Sequence, residues 1–221
     1  MIHIDFLIED ISGKIMLEHL LPKVILQDNV TYRVHSYKGI GRIPGNLKSA
    51  KTIRNRQLLE QLPGLLSGFG RTYQSWGSIM SGYTVVVCDL DDRNIRDFKT
   101  QLTNVLSFCT VQPETRFCFA IEEGEAWFLG DIQAIKKVYP KVNMHVLHSY
   151  TQDSICGTWE VLADAIGFSR RDATYQDVGL EKRIWAEKIT PHLIIEDNKS
   201  PSFHFFCDTI RKILETEMEE I

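Results

Sequence analysis

The chain has no pair of cysteines at metal-binding spacing, since its five, Cys88, Cys109, Cys118, Cys156 and Cys207, stand singly. An odd, scattered set excludes a zinc knuckle and a disulfide framework, and reads as reduced, mostly buried small hydrophobes. No run approaches the roughly 20 apolar residues that cross a bilayer. Residues 1–9 have neither a basic start nor a long apolar stretch, so a cytoplasmic protein without a membrane partner is expected. There is no G-x-G-x-x-G and no lysine-bearing phosphate loop, which excludes nucleotide hydrolysis by the chain itself. Acidic residues are missing from the whole interval between Asp28 and Glu60, which instead carries Arg33, Lys38, Arg42, Lys48, Lys51, Arg54 and Arg56. The C-terminal end reverses that balance with Glu215, Glu217, Glu219 and Glu220, and the net charge of −4 argues against a surface that coats nucleic acid indiscriminately.

What is there reads as an ordinary globular chain. With 221 residues, 43% hydrophobic and 24% charged, it can bury one good core but hardly two full domains. Ile2, Ile4, Phe6 and Ile8 alternate with period two and predict a strand that closes at Glu9. Residues 10–13 turn the chain, and from Lys14 onward Ile15, Met16, Leu20, Leu21, Val24 and Ile25 recur at helical spacing, with Pro22 expected to kink or split the helix. A second strand is predicted over 30–37, a long basic loop over 38–51, and a helix through Leu58, Leu62, Leu65 and Phe69. The run 83–88 is continuously apolar and β-branched, as in a strand covered on both faces, and closes in Asp89-Leu90-Asp91-Asp92. A helical stripe through Ile95, Phe98, Leu102, Val105 and Leu106 leads to a strand over 116–121, which closes in Glu122-Glu123-Gly124-Glu125. Such alternation predicts an α/β fold with an open, mainly parallel sheet flanked by helices over residues 1–150. Helices over 154–166, 180–189 and 202–215 form a C-terminal extension, 151–221, packed on it.

Three predicted strands therefore end in acids: Glu9, Asp89 with Asp91, and Glu123 with Glu125. Ligands of open parallel sheets gather at the carboxyl ends of the strands, so distant acids can converge there. Extended residues two apart project to one side, which would let Asp89 and Asp91 reach one ion. Mg²⁺ or Mn²⁺ suits such a pair, because a small hard cation takes one or two carboxylates plus water and phosphate oxygens. Glu9 would complete the shell or act as general acid or base. The bland alternative is helix capping, for which Asp92 is well placed. Yet several carboxylates gathered without a cation repel one another, a cost that structure alone rarely tolerates.

The order of these features resembles the Toprim fold of topoisomerases, primases, recombination-repair proteins and overcoming-lysogenization-defect nucleases. The segment 121–131, Ile-Glu-Glu-Gly-Glu-Ala-Trp-Phe-Leu-Gly-Asp, with Ser-Pro-Ser-Phe at 200–203, is similar to a Toprim-like family of unknown function often encoded beside an SMC-like ATPase. The resemblance implies a Toprim-type nuclease in anti-phage defence, with Glu9 as the catalytic glutamate, Asp89 and Asp91 as metal ligands, and Glu123 and Glu125 at acidic positions of unassigned role. The chemistry expected of the cluster makes Glu9, Asp89 and Asp91 the catalytic candidates and adds Glu123 or Glu125 as support for a second ion. It implies DNA, more than RNA, as the substrate. The chain departs from the Toprim pattern in one respect: Asp10 follows the first glutamate, where a glycine is usual, and the glycine comes at Gly13.

The basic loop offers Lys38, Arg42, Lys48, Lys51 and Arg54 to a phosphate backbone, and Tyr32, His35 and Tyr37 could stack on unpaired bases. Arg93 would stabilise a phosphate or pair with Asp92. His145 and His148 lack a second ligand pair and are expected to be structural, while Trp127, Trp159 and Trp185 are expected to fill the seam below the C-terminal helices. Other functions keep a place: a non-catalytic Toprim-like subunit that docks on an ATPase and binds DNA, a phosphatase using Asp89 as nucleophile, and a sugar transferase using the D-x-D.

Overall fold

A computed structural model of the chain describes residues 1–47 and 56–219. Four strands, β1 (Ile2–Ile8), β2 (Val30–Ser36), β3 (Ser81–Asp89) and β4 (Glu114–Ala120), form one sheet in the order β2-β1-β3-β4. Every pairing is parallel, with Ile8 beside Ser36 and Val87, and Asp89 beside Ala120. All four carboxyl ends consequently reach the same edge. The α/β class and the strand positions agree with the sequence pattern.

The two-residue period of the strands decides what lies on each face. Ile2, Ile4, Phe6 and Ile8 of β1, with Tyr83, Val85 and Val87 of β3, face a large core under α1 (Ile11–Val24), α4 (Glu125–Leu129), α5 (Ile132–Val138), α7 (Thr158–Ile166), α8 (Tyr175–Ile189) and α9 (Pro201–Glu219). Leu7, Val86 and Cys88 face a smaller core under α2 (Leu58–Trp76) and α3 (Ile95–Ser107). Segments beyond residue 150 supply Leu162, Trp185, Phe203 and Phe206 to the same core as β1. No described helix is long and apolar enough to cross a membrane.

Several local expectations change. Helix α1 starts at Ile11, because the Asp10 carboxylate caps it by accepting from the Gly13 N–H; a Cβ at Gly13 would stand 2.6 Å from the Ile8 side chain, so this glycine serves close packing within a helix. Pro22 lies inside α1 without dividing it, two residues before the helix closes. The cap of α3 is Asn94, which accepts from the Arg96 and Asp97 N–H groups, and not Asp92. Residues 125–149 hold three short helices, α4, α5 and α6 (Met144–Ser149), where no helix is predicted.

The 121–131 and 200–203 segments interlock. The Trp127 indole N–H donates to Ser202 Oγ at 3.0 Å, and the Asn198 side-chain amide donates to the Trp127 carbonyl at 2.8 Å. A Cβ on Gly130 would sit 2.0 Å from Asn198 Oδ1, so only glycine fits that approach. Asp131 caps α5 and accepts from the Ile194 N–H, and Asp153 accepts from the Ser200 hydroxyl and the Ser202 N–H at the start of α9. Trp127 and Trp185 are completely buried, as the seam requires, whereas Trp159 is only partly buried and packs at the edge of that core.

Candidate active site

The carboxyl edge carries a small pocket of about 30 Å³ lined by Glu9, Asp10, Ser12, Gly13, Asp89, Gly124, Glu125 and Lys182, with Met16, Trp127, Phe128 and Ala186 as its apolar floor. A space of that size admits one or two water-sized groups. Asp89 enters it by register, because 83, 85, 87 and 89 share the face of the larger core. Glu9 would alternate to the opposite face if β1 continued, but the strand ends at Ile8 and the side chain turns into the pocket.

Both acids are held away from ordinary carboxylate behaviour. Burial, with the charges of Asp10 and Asp91 behind it, pushes Glu9 up to about 8, against a hydrogen bond from the Asp89 N–H and the charge of Lys182. Burial, reinforced by Glu9 and Glu125, pushes Asp89 well above the carboxylate range. Glu9 Oε2 is a buried oxygen that accepts no hydrogen bond from the described residues. An orphaned acceptor next to a second raised carboxylate is a place where a proton or a cation lowers the energy.

The other acids separate from this pair. Asp91 lies beyond the end of β3 with φ 50°, so the strand alternation does not extend to it. Its carboxylate is paired with Arg93, and it lines a neighbouring cleft of about 230 Å³ with Asp92, Glu122, Glu123, Trp159 and Glu160. Glu122 caps α7, accepting from the N–H groups of Cys156, Gly157 and Thr158 and from the Thr158 hydroxyl. Burial opposes its ionisation, but those hydrogen bonds prevail and hold it low. Glu123 and Glu125 converge on the Lys182 ammonium, at 3.3 and 3.2 Å, and Glu123 also accepts from the Trp159 N–H at 3.3 Å. Burial and the Glu125 charge raise Glu123 to about 7. For Lys182 burial opposes the charge, yet Glu125, Glu123 and Asp89 outweigh it and hold the ammonium above its usual range.

Lys182 is the residue of the pocket that sequence reasoning missed. It shares one face of α8 with the buried Trp185, Ala186 and Ile189, at spacings of three, four and seven. A lysine on an apolar helical stripe was the available signal, since such a charge is buried only when paired. No three His, Cys, Asp or Glu side chains among the described residues are grouped so as to hold a metal ion. The remaining fit is narrower: Glu9 and Asp89 offer two carboxylates to a hard cation whose other positions would go to water and substrate oxygens.

The basic residues divide as well. Lys38 and Arg42 are exposed, and the Gly39 N–H donates to the Glu9 carbonyl at 2.8 Å, which brings the start of the loop against the edge. Lys48, Lys51 and Arg54 lie outside the described residues. Arg93 pairs with Asp91 rather than Asp92 and lies 5.2 Å over the Phe98 ring. The three rings expected to stack on bases are engaged elsewhere: His35 binds Asp5 at 2.6 Å, Tyr32 packs on Phe6, and Tyr37 packs on the smaller core. His145 and His148 are exposed on α6.

Comparison with protein-family models, curated proteins and solved structures finds no match. Function is therefore read from the geometry of the edge.

Proposed function

We propose that the chain is a Toprim-like enzyme that cleaves nucleic-acid phosphodiesters, DNA in preference to RNA, with one Mg²⁺ or Mn²⁺ held by Glu9 and Asp89. The observation that carries this reading is the buried oxygen of Glu9, without a partner among the described residues, in the same pocket as Asp89 at the carboxyl edge of a parallel sheet. A bound divalent ion would polarise the scissile phosphate and ease ionisation of a water. Glu9 and Asp89 position that ion, and Lys182 supplies fixed positive charge beside it. Glu123 and Glu125 hold Lys182 in place. Lys38 and Arg42, with the rest of the basic loop, would steer the phosphate backbone to the edge. The resemblance adds an SMC-like ATPase partner and a role in anti-phage defence to the proposal.

The test is nicking of supercoiled plasmid in Mn²⁺, alone and with a candidate ATPase. Wild type should nick, whereas Glu9→Gln and Asp89→Asn, folded as judged by circular dichroism, should not. Nicking that survives both substitutions would remove the site assignment.

A specific observation favours a second reading. Asp91 is engaged by Arg93, and the cleft beside the pocket is lined with acids that repel phosphate. A non-catalytic subunit that docks on an ATPase and binds DNA would have no need of a free phosphate path. Plasmid binding without nicking, under every metal condition, would select it.

A further inference from the structure

The apolar groove beside β4 and the Asp5 network on β1 say nothing of what would bind them, whereas the carboxylate pocket contains a charged group with a definite consequence. We infer that Lys182 is a built-in cation standing where a second divalent ion would otherwise sit, so that the site takes one ion, on Glu9 and Asp89, and not two. The inference deepens the metal-dependent reading above and rests on it.

Occupancy decides between one ion and two. Two-ion phosphodiester sites keep their metals about 3.5–4 Å apart and clamp both the attacking and the leaving oxygen, so a second ion needs free carboxylates close to the first. Here the candidates are Glu123 and Glu125, and both already contact the Lys182 ammonium, at 3.3 and 3.2 Å. Glu123 turns its other oxygen to the Trp159 N–H. A divalent ion on these carboxylates, at about 2.0–2.1 Å from oxygen, would sit almost in contact with the ammonium, and like charges at that separation exclude each other.

The ammonium is also held. Its side chain is only 17% exposed and lies 5.9 Å from the centre of the Trp159 ring. It projects from the buried face of α8. The turn that follows that helix is fastened to α1, because Lys23 Nζ donates to the carbonyls of Thr190, Pro191 and Leu193 at 2.9, 2.8 and 3.0 Å. No covalent or proton-transfer step is assigned to Lys182. It contributes a fixed charge to the pocket wall, the role a second ion would play electrostatically, without binding or release of a metal.

Mn²⁺ titration of the full chain, read by the electron paramagnetic resonance signal of free Mn²⁺ and by calorimetry, decides the matter without reference to activity. Wild type should bind one Mn²⁺, Lys182→Met should bind two, and Lys182→Arg should return to one. Lys182→Gln, which keeps a polar side chain of similar reach without the charge, should likewise bind two, which keeps the inference testable should Lys182→Met fail to fold. Two ions on the wild type, or one ion on a folded Lys182→Met or Lys182→Gln, would each overturn the inference. No ion on the wild type would instead overturn the metal-dependent reading on which it rests.

Discussion

Replacing Glu9 by glutamine should stabilise the protein while abolishing its proposed chemistry, and the gain should grow with pH. Burial and neighbouring charge hold the Glu9 carboxyl near pH 8 instead of its ordinary 4.5. The folded state thus binds a proton that the unfolded chain releases, so folding stability falls as pH rises from about 4.5 to about 8. Taking about 1.36 kcal/mol for each pH unit, the cost is about 1 kcal/mol at pH 5, roughly 3 at pH 7, and about 4 to 5 above pH 8. Glutamine never ionises and avoids this cost, but it accepts the hydrogen bond from the Asp89 N–H less strongly, a loss of about 1 kcal/mol. The net expectation is a variant near wild-type stability at pH 5 and about 2 kcal/mol more stable at pH 7. Urea unfolding of the metal-free protein at a series of pH values measures it directly. A Glu9→Gln variant less stable than wild type at pH 8, or a difference that does not change with pH, would refute the electrostatic description of the pocket.

Three other perturbations probe packing and hydrogen bonding away from the pocket. Gly130→Ala should lose about 1 to 3 kcal/mol in urea unfolding, since its Cβ would meet Asn198 Oδ1 at 2.0 Å; a neutral result would mean that the 198–200 turn moves freely. Lys23→Met removes the donor to three carbonyls in the turn that follows α8 and should cost about 2 kcal/mol, with faster amide exchange at residues 186–193 as its local signature. Burial opposes ionisation of Asp5, but hydrogen bonds from His35 and Tyr73 and the charge of His3 hold it below 3.8. Its stabilisation is therefore present above the unfolded value and is lost as pH falls through the folded one. Asp5→Asn should flatten that acid limb and lower stability at neutral pH, and an unchanged limb would show that the network contributes little.

Much of the scaffold was legible in the sequence, and the reasons differ by element. The strands declared themselves because Ile2, Ile4, Phe6 and Ile8 alternate cleanly and 83–88 is apolar throughout. Long helices such as α2 and α9 carry enough turns for a stripe to show, whereas α4, α5 and α6 span 5, 7 and 6 residues, too few for any period to emerge. The conjunction of Glu9 and Asp89 was readable because parallel strands bring their carboxyl ends to one edge. The assignment of Asp91 with Asp89 assumed extended backbone, and the left-handed turn at Asp91 breaks that alternation. Glu123 and Glu125 were found as acids, but their partner was not, since Lys182 comes from a helix more than fifty residues later. The 121–131 and 200–203 segments were singled out in the sequence for their residue pattern alone. Their contacts through Trp127, Gly130 and Ser202 show a buried seam that fixes α4 and α9, which accounts for those residues by packing.

The central claim is tested most directly by diffraction. A crystal of the full chain soaked in Mn²⁺ and measured at a wavelength where manganese scatters anomalously should give one peak between the carboxylates of Glu9 and Asp89, with the Lys182 ammonium still on Glu123 and Glu125. A peak on Glu123 and Glu125 with Lys182 displaced, or an empty edge at saturating Mn²⁺, would contradict it.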